Sequence, residues 1–85
     1  MNPEGGEAAR TTISFRLLCR LTAGPQTPTE LASFERKHLS VISRCLGNLR
    51  QEGLVECARA SARLKYYRPT LRGYLLVYAS IRRGG

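Results

Sequence analysis

Apolar residues recur every three or four positions near the start of the chain, where Ile13, Leu17 and Leu21 share one face of the stretch ISFRLLCRLTA. Thr12 is a candidate N-cap for this first helix, and Gly24-Pro25 marks its end. Phe15, Leu18 and Thr22 repeat the same spacing on roughly the opposite face. One small core is not expected to cover both sides, so Phe15 and Leu18 are expected to meet a second copy of the chain. The segment Thr27-Pro28-Thr29-Glu30 has the residues of a capping box, with Pro28 at the first helical position. It predicts a short helix carrying Leu31, Ala32 and Phe34 that gives way between Glu35 and Lys37. A longer helix over about residues 38–52 follows, with Leu39, Ile42, Leu46 and Leu49 as its apolar stripe and Gly53 as its stop.

Beyond Gly53 the pattern becomes extended. Leu54 to Cys57 and Leu64 to Arg68 predict two strands around a connection without large apolar residues. The tip and flanks of this hairpin, about residues 58–65, carry Arg59, Arg63 and Lys65, while Tyr66 and Tyr67 are expected to be half-buried packing. Pro69 ends the second strand and Thr70 caps a last helix, whose inward stripe is expected to be Leu71, Tyr74, Leu75, Tyr78 and Ile81. Leu76 and Val77 fall outside that stripe and join Phe15 and Leu18 as the expected dimer surface. The fold class that follows is α+β and mostly helical: a three-helix bundle, a two-stranded hairpin and a C-terminal helix.

Length and composition narrow the reading. A chain of 85 residues supports one core; residues 1–10, with two glycines and a proline, predict a flexible tail ahead of a domain at 11–83. No apolar run approaches the roughly 18 residues of a membrane span, and Asn2-Pro3-Glu4-Gly5 is not a secretory leader, so a soluble cytoplasmic protein is expected. Cys19, Cys45 and Cys57 are widely spaced, form no CxxC pair and have only His38 to join them, so neither a disulfide framework nor a metal site is expected. Cys45 and Cys57 are expected to pack as small apolar side chains. Scattered acids, a single histidine and the lack of a glycine-rich phosphate loop predict no catalytic residues, no cofactor and no evident small-molecule effector.

Charge adds the decisive asymmetry. Residues 1–35 carry a net charge of −1 and residues 36–85 a net charge of +9. The long helix has an acid-free outer face of Lys37, Ser40, Ser43, Arg44, Gly47, Asn48 and Gln51 on a wheel of about 100° per residue. A cationic helix face beside a cationic hairpin points to a polyanion, because clustered Lys and Arg release counterions from a phosphate backbone.

Two stretches resemble a known family. Glu30 to Val55, ELASFERKHLSVISRCLGNLRQEGLV, resembles the helix-turn-helix of winged-helix transcription regulators of the arsenic-repressor and multiple-antibiotic-resistance-repressor kinds, and Tyr67-Arg68-Pro69-Thr70-Leu71-Arg72-Gly73 resembles the segment that ends their wing. The chain departs from the pattern at the turn, where Glu35, Arg36 and Lys37 replace an apolar residue, a glycine and an apolar residue; Phe34 is the candidate to supply the missing packing. The resemblance implies a winged helix-turn-helix that binds double-stranded DNA as a prokaryotic-type transcription regulator, with the helix at about 38–52 in the major groove. Arg44 is then the expected base contact, Lys37 a phosphate contact, and Ser40, Ser43 and Asn48 their neighbours. Arg59, Arg63 and Lys65 of the wing are expected on the flanking backbone or minor groove. A homodimer would present two such helices to half-sites about one DNA turn apart. The alternative is a winged-helix module that contacts protein within a larger assembly, and RNA is a third candidate partner.

Overall fold

The computed structural model describes residues 11–84, and side chains from residue 13 to residue 82; the tail expected over residues 1–10 lies outside the described residues. A π-helical turn at Thr11–Phe15 leads into α1 (Arg16–Ala23), followed by α2 (Pro28–Glu35), α3 (Leu39–Gln51), β1 (Val55–Arg59), β2 (Lys65–Pro69) and α4 (Leu71–Gly84). Helical backbone is thus already present at Thr11, one residue before the expected cap.

The local signals behave as their chemistry dictates. Thr27 Oγ1 accepts from the Glu30 amide at 3.1 Å and the Glu30 carboxylate accepts from the Thr27 amide at 2.9 Å, closing the capping box of α2. Gly53 adopts φ +77° just past α3, a conformation that β-carbon sterics disfavour in other residues. Thr70 holds the junction of wing and last helix: its hydroxyl donates to Gly53 O at 2.6 Å and accepts from the Gly73 amide at 3.1 Å.

β1 and β2 pair antiparallel, with Val55 opposite Pro69, Cys57 opposite Tyr67 and Arg59 opposite Lys65. Gln26, in the loop between α1 and α2, extends this sheet by one bridge, donating to Tyr67 O at 3.2 Å and accepting from Tyr67 N at 2.8 Å. The root of the hairpin is therefore tied to the loop ahead of α2. On the outer face, Glu56 and Arg68 pair across the strands at 2.8 Å.

The core is built by Leu17, Leu18, Leu21, Leu31, Ile42, Leu46, Leu49, Leu54, Val55, Tyr67 and Val77. Cys19, Cys45 and Cys57 are half-buried against it, and burial pushes the Cys19 thiol up, away from the reactive thiolate.

Two expectations are corrected here. Leu18 is 1% exposed and Val77 5% exposed, so both belong to the domain's own core and not to a dimer surface. The reason is that β2 and α4 lie against α1 and cover its second apolar side. Phe15 likewise packs partly against the core, while Leu76 remains exposed. The second correction concerns the inward stripe of α4. Leu71, Tyr74, Leu75, Tyr78 and Ile81 are all exposed, and the residues turned inward are Gly73 and Val77, with Ser80 half-buried. Small residues mark this side because the helix approaches closely: a β-carbon on Gly73 would lie 3.2 Å from Leu18 Cδ1 and well inside the contact distance of the Leu54 carbonyl oxygen.

The turn between α2 and α3 solves its unusual sequence with charge. Arg36 takes the left-handed conformation, φ 56°, that a glycine would fill, and its amide caps α2. Glu35, at the position expected to be apolar, has a side chain only 4% exposed and accepts from Arg16 at 2.8 Å and from Arg20 at 2.6 Å. Phe34 does not plug the turn; it stays exposed, and the Arg20 guanidinium lies 4.7 Å from its ring centroid.

Those arginines hold the Glu35 carboxyl below its ordinary value near 4.5, chiefly through the Arg20 hydrogen bond. A carboxyl lowered in the folded state adds stability that is complete above its unfolded value and is lost as pH falls through the lowered one. Wild type should therefore melt above Glu35→Gln at neutral pH, and the gap between their Tm values should narrow as pH falls below the ordinary carboxyl value near 4.5. A gap that stays constant as pH is lowered from neutral through that range would refute this role for the charge.

Candidate nucleic-acid interface

α3 is amphipathic in the way its sequence requires. Ile42, Leu46 and Leu49 are buried on one side, while Ser40, Ser43, Arg44, Gly47, Asn48 and Gln51 are exposed on the other. At about 100° per residue, Ser40, Arg44 and Gln51 point most directly away from the core, with Ser43 on one flank and Asn48 on the other. Lys37 precedes the helix, exposed, with its amide bonded to Ala32 O at 3.1 Å directly after the left-handed Arg36. His38 is the N-cap residue in extended conformation and makes no side-chain capping bond.

The period of two along a strand decides where the wing cations point. Val55, Cys57 and Arg59 share one face of β1; their partners Pro69, Tyr67 and Lys65 share the same face of β2. Inside the domain this face meets the core, and past the core it carries Arg59 and Lys65. The hairpin's basic side is thus the continuation of its packed side.

Arg63 and Lys65 consequently line one groove of about 410 Å³ with Ser43 and Leu39 of α3, Thr27 to Thr29 at the start of α2, and Leu64. The tip is shaped by Ser61, whose hydroxyl accepts from the amides of Arg63 at 3.3 Å and Leu64 at 3.0 Å. Arg59 reaches across it to Ala62 O at 3.2 Å.

The electrostatics are one-sided. Among the described residues, the ion pairs are Arg16 and Arg20 with Glu35, and Arg68 with Glu56. None involves Lys37, Arg44, Arg59, Arg63 or Lys65. Arg59 and Lys65 also stand directly opposite each other, a like-charge pairing that disfavours the hairpin by a few tenths of a kcal/mol to about 1 kcal/mol.

All eight residues singled out for DNA from the sequence are exposed, but they do not form one cluster. Ser43, Arg63 and Lys65 are brought together in the groove. Asn48 lies at the other end, beside Ser14, Gln51 and Glu52 around a smaller hollow of about 260 Å³. Leu39 is a residue that sequence reasoning misplaced. Assigned to the buried stripe, it is 48% exposed and lines the groove beside Ser43 at the start of the helix.

No protein-family profile and no curated protein matches the sequence. Solved structures do match the fold. A doubly substituted apo form of ZitR from Lactococcus lactis superposes with a TM-score of 0.81 at 14% identity, covering 95% of this chain and 63% of that one. FabT from Streptococcus pneumoniae, solved in complex with DNA, gives 0.77 at 20% identity over 84% of this chain and 52% of that one. The transcriptional regulator BldR from Sulfolobus solfataricus gives 0.76 at 22% identity over 81% and 51%. The chain thus has a winged-helix fold shared with transcription regulators, and it spans about half to three-fifths of their length.

Proposed function

Starting from a winged-helix domain of the kind these regulators contain, we propose that this protein binds double-stranded DNA with sequence preference and acts as a transcription regulator in the cytoplasm. α3 enters the major groove, where Arg44 contacts a base edge, Ser40, Ser43 and Asn48 flank it, and Lys37 meets a phosphate. Arg59, Arg63 and Lys65 lie on the adjoining backbone or minor groove. The observation that carries this reading is the groove in which the wing cations Arg63 and Lys65 face Ser43 on the outer side of α3. The test is titration against duplex DNA at several salt concentrations. Affinity that falls steeply with salt supports it, and salt-independent or absent binding moves the assignment to protein contacts.

The functional unit we propose is a homodimer formed through α4. Its outer side bears Leu71, Tyr74, Leu75, Tyr78 and Ile81, an apolar stripe left exposed by the described residues. Beside it, Leu75 and Leu76 line a groove with Leu54, Glu52 and Arg72. In a two-fold interface each contact occurs twice, so Glu52 of one copy can meet Arg72 of the other on both edges of the seam. Wild type is expected to sediment as a dimer at micromolar concentration and Leu75→Glu as a folded monomer. A wild-type monomer under those conditions removes the dimer.

A further inference from the structure

Cationic and polar side chains account for only part of the groove between wing and α3. Ser43, Arg63, Lys65 and two threonines supply its polar lining, but Pro28, Leu39 and Leu64 line it as well. Leu39 is 48% exposed and Leu64 49% exposed. Leu39 opens a helix whose other large leucines, Leu46 and Leu49, are buried, and its flank of the helix is the one that faces the wing. Two half-exposed leucines among cations suit neither plain hydration nor a phosphate. They suit a ligand that is anionic along its backbone and apolar at a defined point. In the major groove that point is the 5-methyl group of thymine, the apolar feature that distinguishes its base pair there.

We propose that Leu39 is a specificity-determining residue that packs on the 5-methyl group of a thymine, while Leu64 covers the neighbouring deoxyribose and Arg63 and Lys65 hold the phosphates on either side. This rests on the DNA-binding reading above and adds what that reading lacks, an apolar contact that selects T over C at one position. Leu39 therefore acts beside Arg44, which reads a donor and acceptor pattern further round the helix.

The probe is a duplex selected by the wild-type protein from a random library, compared with copies in which one thymine at a time is replaced by deoxyuridine. Removing the methyl group at one position should weaken wild-type binding about fourfold, the value of one buried methyl group. Leu39→Ala should bind the thymine duplex about as weakly as wild type binds the deoxyuridine copy, and should no longer distinguish the two. Its salt slope should be unchanged, since no charge is removed. Because Leu39 is half-exposed, the variant is expected to keep the wild-type Tm. Leu64→Ala, the second variant, should lower affinity on both duplexes and preserve their ratio. Salt-dependent binding without any methyl effect, or a methyl effect that survives in Leu39→Ala, overturns this inference alone. Loss of all salt-dependent duplex binding overturns the DNA reading with it.

Discussion

Gly73→Ala is expected to lower stability by about 3 kcal/mol, on the order of 15 °C in Tm for a domain of this size. The direction opposes helix propensity, since alanine favours a helix interior over glycine by about 1 kcal/mol. Packing wins because the new methyl would collide with the Leu54 carbonyl oxygen, a backbone atom that cannot rotate aside, and would press on Leu18 Cδ1 at 3.2 Å. Relief requires α4 to lift from α1, which uncovers Leu18 and Val77, both in the core. Gly47→Ala is the matched control: nothing lies within 4 Å of a β-carbon there, so propensity acts alone and stability should rise by about 1 kcal/mol. Thermal melts of both variants decide the matter, and a Gly73→Ala protein as stable as wild type would show that α4 does not pack as described.

The second large effect concerns DNA. Arg44→Ala should cost about 1–3 kcal/mol on the selected duplex, about 5- to 150-fold in affinity, and relax the preference at one position. Arg44 stands on the outermost line of α3, exposed and in none of the ion pairs among the described residues. Arg63→Ala with Lys65→Ala should instead weaken binding to every duplex alike and reduce the salt slope by about 2, one for each phosphate left without its cation. Equal behaviour of the two variants across sequences would contradict the division of labour between helix and wing.

How much of the fold is legible in the sequence depends on how local each signal is. The capping box of α2, the glycine stop at Gly53 and the Thr70 cap involve residues within a few positions of one another, and each lies where its spacing puts it. The exposed face of α3 follows from one period and one charge pattern. By contrast, α4 has two candidate sides, and hydropathy favours the wrong one. Its home side is marked by Gly73, Val77 and Ser80, small residues whose value is closeness of approach and not apolar area. The same blindness applies to α1, where Leu18 is surplus by pattern because the chain that covers it arrives some fifty residues later. Glu35 is unreadable for another reason. A carboxylate in place of an apolar turn residue makes sense only once Arg16 and Arg20 are known to sit beside it, and no spacing rule links positions on separate helices.

Arg59 and Lys65, facing each other where the two strands leave the body of the domain, leave the free hairpin with a built-in tension. An anionic strand laid across that end would turn the repulsion into shared attraction, so the hairpin would be tighter occupied than free. If the wing binds DNA as proposed, grip and stiffness become one property set by the ligand, and the gain would fall away with added salt together with the binding.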